Sequence, residues 1–106
     1  MNRLPEAISL HHAIKLVIEQ NKSIGYNPNR FINKLEGLNG MALVEGVAEL
    51  IKNERAVTEV YKHLEKYKEM WTIEDFVKRY GSNWGFDSET IIQASQNIEI
   101  YNNLRR

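Results

Sequence analysis

Cysteine is missing from this sequence altogether. That excludes disulfides, thiol nucleophiles and cysteine-ligated zinc or iron–sulfur centres. Proline is scarce too: Pro5 and Pro28 are the only two, so long stretches lack the residue that most reliably interrupts a helix. Neither charge is in surplus. Fourteen basic residues balance fourteen acidic ones, and a net charge of zero gives no global electrostatic reason to bind nucleic acid or a membrane surface. No apolar run approaches the roughly 20 residues that a membrane-spanning helix requires, and the first residues lack the layout of a signal peptide. What is present is a 106-residue chain, 42% apolar and 26% charged, with the composition of a globular protein. The expectation is a single domain over residues 1–106, with one modest core, located in the cytoplasm.

Apolar residues recur at steps of three and four almost throughout, and no segment alternates at period two for long. This periodicity predicts an all-α fold, a compact bundle of five to six short helices. The first runs from about Pro5 to Gln20, with proline in the first turn, where its missing N–H costs nothing. A short second helix covers about Pro28 to Glu36. The third, about Met41 to Asn53, is apolar around most of its circumference, with only Glu45, Glu49 and Lys52 as a polar stripe, so it is expected to be the hub of the bundle. Gly46 within it would cost about 1 kcal/mol relative to alanine, which a close helix crossing would offset. A fourth helix spans about Val57 to Lys68, with Val57, Val60, Tyr61 and Leu64 inward. Thr72 reads as an N-cap with Glu74 and Asp75 in the first turn, and Gly81 as the C-cap of that fifth helix. Asp87 caps a last helix from about Ser88 to Asn103, onto which Phe86 can staple at Ile91.

The most informative hexapeptide is Tyr26-Asn27-Pro28-Asn29-Arg30-Phe31. With Asn27 as N-cap and Pro28 as the first helical residue, Tyr26 and Phe31 form a hydrophobic staple. Arg30 alone has no local task, and its charge opposes the positive end of the helix dipole. Either it pairs with Glu45 or Glu49 on the next helix, or it holds an anion, phosphate or acidic partner beside the helix start.

From Tyr26 onward the chain resembles an uncharacterised family of short bacterial proteins and domains. The family's pattern is Tyr-Asn-Pro-x-Arg-Phe, a glycine-bearing loop, an alanine- and leucine-rich helix, an aromatic-bearing helix and a Thr-Val-Glu-x-hydrophobic-Val segment. The corresponding stretches are Tyr26 to Phe31, Gly40 to Leu50, Val57 to Tyr61, Thr72 to Val77, and Trp84 to Glu89 at the entry to the last helix. Lys68-Glu69-Met70-Trp71 departs from the pattern as a small insertion, and Ala56 stands where the family has glycine. The resemblance implies no activity and no catalytic residues; it implies a setting near mobile elements or defence genes.

Nothing in the sequence gathers groups for chemistry. His11 and His12 are adjacent and point about 100° apart on a helix, and neither they nor His63 sit at a metal-ligand spacing. No serine lies in a nucleophile elbow, and no glycine loop is followed by Gly-Lys-Ser/Thr. The expectation is therefore no catalytic residue, no metal, no cofactor and no small-molecule substrate. Two binding readings remain. Ile91, Ala94, Ile98 and Tyr101 form one stripe of the last helix, while Ile100 and Leu104 fall on a second apolar face that suits self-association or a larger protein partner. Alternatively, Tyr67, Trp71, Phe76, Tyr80, Trp84 and Phe86 are interleaved with Lys66, Lys68, Lys78 and Arg79, and the sequence closes on Arg105-Arg106. That mixture suits a nucleic-acid-binding accessory protein using Arg30, Lys78, Arg79, Arg105 and Arg106. The favoured reading is a non-enzymatic protein-interaction module. Its candidate contacts are Arg30, Lys78, Arg79, Trp84, Ile100, Leu104, Arg105 and Arg106.

Overall fold

Helices α1 (Leu10–Ser23), α2 (Asn29–Leu35), α3 (Gly40–Lys52), α4 (Glu54–Lys66), α5 (Ile73–Tyr80) and α6 (Ser88–Arg105) follow one another with short connections. The computed structural model describes residues 4–105, and no strand occurs among the described residues. The all-α bundle expected from periodicity is what forms, 33 × 27 × 25 Å in extent.

Side-chain caps start α1, α4, α5 and α6. Ser9 Oγ accepts a 3.1 Å bond from the His12 backbone N–H, and His12 Nδ1 accepts one from the Ile8 N–H. This reciprocal arrangement starts α1 at Leu10, five residues later than Pro5 predicts, and residues 5–9 lie outside the helix. At the other end Tyr26 N–H donates to Asn21 C=O and Gly25 N–H to Lys22 C=O. That is a Schellman termination, and it requires the positive φ of 83° that Gly25 supplies. The cap of α2 also differs by one residue. Pro28, not Asn27, precedes the first helical residue, because the Asn29 N–H turns back to Asn27 C=O. Asn53 ends α3 and caps α4 together, its Oδ1 accepting from Ala56 N–H at 3.0 Å. Thr72 and Asp75 form the capping box of α5, and Asp87 Oδ1 accepts from Thr90 N–H at 2.8 Å to start α6. The Thr90 bonds hold the Asp87 carboxyl below the usual carboxylate range. Gly81 ends α5 in ordinary right-handed geometry, and glycine is needed for space: a Cβ there would run into Val77 C=O and Ile91 Cγ1.

The larger apolar cluster joins α1, α3 and α5 through Ala13, Val17, Leu43, Val47, Ile51 and Phe76. A second, smaller one forms around Leu64, Met70 and Tyr101, with Leu104 packed against it. Helix α3 does pack on α2, α4 and α6, but α6 packs on α3, α4 and most extensively on α5, so two helices share the central position expected of one. The central position of α6 is hard to read from sequence because Asn, Gln and Glu interrupt its apolar stripe. Gly46 is buried as expected at a close approach. A Cβ would lie 2.9 Å from Leu38 Cδ1 and 3.1 Å from Leu35 Cδ2, so the crossing element is α2 together with its following loop.

Candidate interaction groove

The residues singled out in the sequence do not converge on one site. Arg30, in the first turn of α2, pairs through Nη1 with Glu59 Oε1 of α4 at 3.0 Å, with both side chains about two-fifths exposed. The expected partners Glu45 and Glu49 are not used; Glu49 binds Lys34 instead. Adjacent to this pair, the Tyr26 ring stacks on His63 with centroids 3.5 Å apart. Burial, with Lys66 adding to it, holds the His63 imidazole below its ordinary value. An exposed ion pair contributes about 0.2–1 kcal/mol, so Arg30→Ala is expected to lower the thermal midpoint by only a few degrees in a denaturation scan, and less still at high salt.

Lys78 and Arg79 are exposed near the end of α5, and the Arg79 guanidinium lies 5.2 Å from the Tyr80 ring centre. Tyr80 stacks in turn on Trp84, which is half-buried against the main core. Arg105 corrects the sequence reading. Its side chain is only 3% exposed and is held by Asp75, so it is an internal contact and not a surface cation. Arg106 lies outside the described residues. Of the four cations among the described residues that were expected to meet phosphates, Lys78 and Arg79 alone stand exposed together on one element. Leu104 is also corrected: it packs inward on the second apolar cluster.

Ile100 keeps its expected position. It is 44% exposed and borders a groove of about 560 Å³ between α4 and α6. Asn53 is the single residue between α3 and α4. Val57 and Tyr61 of α4 and Ile51 at the end of α3 supply the apolar wall; Lys52, Glu54 and Gln93 supply the rim. Ile92, 57% exposed, extends the apolar character of α6 outside the groove.

Beneath the groove lies a polar junction that sequence reading missed. Asn97 Nδ2 donates to Ile51 C=O at 2.9 Å and to Glu74 Oε2 at 3.1 Å, while Tyr101 Oη donates to the same Glu74 oxygen at 2.8 Å. Burial pushes the Glu74 carboxyl above the usual carboxylate range, against the lowering effect of those hydrogen bonds. The Tyr101 hydroxyl is raised as well, first by burial and then by the Glu74 charge. One signal for this junction exists in the sequence: Asn97 falls on the inward stripe between Ala94 and Tyr101, where an amide must find partners.

No family model, curated protein or solved structure matches this chain.

Proposed function

We propose that this protein is a non-enzymatic interaction module that pairs with a second copy of itself through the outer face of α6 and the α4–α6 groove. The observation that supports this reading is the placement of Ile92 and Ile100. They are the exposed large aliphatic residues of α6, eight positions or about 12 Å apart, with Gln96 midway. Antiparallel pairing of two α6 helices about Gln96 sets Ile92 of one copy at the level of Ile100 of the other. Each isoleucine then covers apolar surface beside the other copy's groove. A twofold contact of this kind is self-complementary. The rim supports it, since Lys52 and Glu54 offer one charge of each sign and zero net charge leaves two copies without mutual repulsion.

Sedimentation equilibrium tests the reading. A concentration-dependent dimer is expected for the unaltered protein, and Ile100→Glu or Ile92→Glu should yield a monomer with unchanged helical circular dichroism. A monomer at every concentration, or a dimer indifferent to both substitutions, contradicts it.

A further inference from the structure

A second cavity, of about 70 Å³, lies on the other side of Glu74, between α1, α2, α4 and α5. The aromatic residues Tyr26, Phe31 and Trp71 line it among aliphatic neighbours, together with three polar side chains, Asn21, Thr72 and Glu74. Asn21 and Glu74 are almost completely buried, 5% and 3% exposed, as is Thr72, whose hydroxyl is committed to Asp75. Asn21 Oδ1 has no hydrogen-bond partner, an unusual state for a buried amide oxygen. Glu74 accepts two hydrogen bonds on Oε2 from α6, an arrangement suited to a carboxylate, yet no cation pairs with it among the described residues. The buried guanidinium of Arg105 is committed to the neighbouring Asp75. The cavity is therefore walled by aromatic and aliphatic side chains, with the Asn21 oxygen as an unpartnered acceptor and the Glu74 carboxyl beside it.

Its walls are fixed in place. Gln20 exchanges two hydrogen bonds with the backbone of Trp71, Nε2 donating to the carbonyl at 2.8 Å and Oε1 accepting from the N–H at 3.2 Å. Tyr26 is positioned by the Schellman turn behind it and by the His63 stack. A site so preorganised has little ordering left to do when it binds.

We infer that this cavity is a binding site for a small primary alkylammonium ion. Its N–H groups donate to the Glu74 carboxylate and to Asn21 Oδ1, and its charge and short alkyl part lie against Tyr26, Phe31 and Trp71. A cavity of about 70 Å³ has room for roughly five water-sized groups, which admits an amine of two to four heavy atoms. Quaternary ammonium ions lack the N–H donors that Asn21 needs. A hard metal ion needs more oxygen ligands than one carboxylate and one amide supply. The site lies away from the outer face of α6, and its occupancy does not depend on pairing there.

Titration of the full-length protein with methylammonium chloride, followed by NMR against sodium chloride at equal ionic strength, tests the assignment. Saturable shifts of the Asn21 side-chain amide and the Trp71 indole are expected with methylammonium and not with tetramethylammonium. Glu74→Gln keeps an acceptor for Tyr101 and Asn97 but turns an NH2 group toward the cavity. It should fold with unchanged circular dichroism and bind at least about tenfold more weakly. Asn21→Leu, which fills the cavity with apolar atoms, should fold and lose the shifts. No saturable response to methylammonium, an equal response to tetramethylammonium, or undiminished binding in a folded Glu74→Gln protein would each overturn the inference.

Discussion

Arg105→Ala is expected to destabilise the protein by about 3–5 kcal/mol, the range for removing one partner of a buried ion pair. The guanidinium grips Asp75 with two bonds, Nη1 to Oδ1 at 3.2 Å and Nη2 to Oδ2 at 2.8 Å, and Nη2 also donates to Met70 C=O at 2.8 Å. Asp75 has a second duty, because its Oδ2 accepts from the Thr72 N–H at 2.7 Å to close the capping box of α5. One arginine thus fastens the end of α6 to the start of α5 and to the loop before it. Without it, a carboxylate that is 10% exposed loses its counter-charge beside the already buried Glu74. The thermal midpoint should fall by at least about 10 °C. Added salt should leave the effect unchanged, because solvent ions do not screen a desiccated pair. Arg105→Lys should recover only part of the loss, since an ammonium cannot span both carboxylate oxygens. A midpoint drop as small as that expected for Arg30→Ala would mean that the pair is wet and weak.

Asn97→Ala is expected to cost about 2–4 kcal/mol, from donors removed in a site that water does not reach. Its amide joins three helices: Nδ2 holds the last turn of α3 through Ile51 C=O and α5 through Glu74, and Oδ1 accepts from Gln93 Nε2 at 3.1 Å within α6. Alanine leaves the Ile51 carbonyl and one hydrogen-bonding position on Glu74 without a donor. Urea denaturation of Asn97→Ala, Glu74→Gln and the double variant measures the coupling directly. Two residues in contact within one network should show at least about 0.5 kcal/mol of non-additivity. Additive effects would show that the two side chains act independently.

Helix number and type were legible because a 3.6-residue period and capping chemistry are local properties. Thr72 with Asp75, and Asp87 with Thr90, are set by side chains three residues from their targets, so they can be read along the chain. Ser9 and Pro5 competed for the start of α1. A cap that bonds to His12 outweighs a proline that is merely tolerated. Pairings between distant elements were not legible. Arg30 reaches past α3 to Glu59 of α4, and nothing in the Arg30 segment encodes that. Glu74 and Asp75 look alike as first-turn acids, yet one is buried beneath α6 and the other caps its own helix. Their different fates depend on where Asn97, Tyr101 and Arg105 arrive. The groove around Ile100 was legible only as an unexplained isoleucine on a second face, and the cavity at Asn21 not at all.

The uneven distribution of helix contacts sets an order in which the molecule opens. Helix α6 braces α3, α4 and α5, and α3 also packs on α4, whereas α1 rests chiefly on α5 and α2 chiefly on α3. Local unfolding begins where the fewest neighbours must be given up. Amide deuteration should therefore reach α1 and α2 while α6 is still protected, and for α1 this requires giving up both its Ala13 and Val17 core contacts and the Gln20–Trp71 clasp.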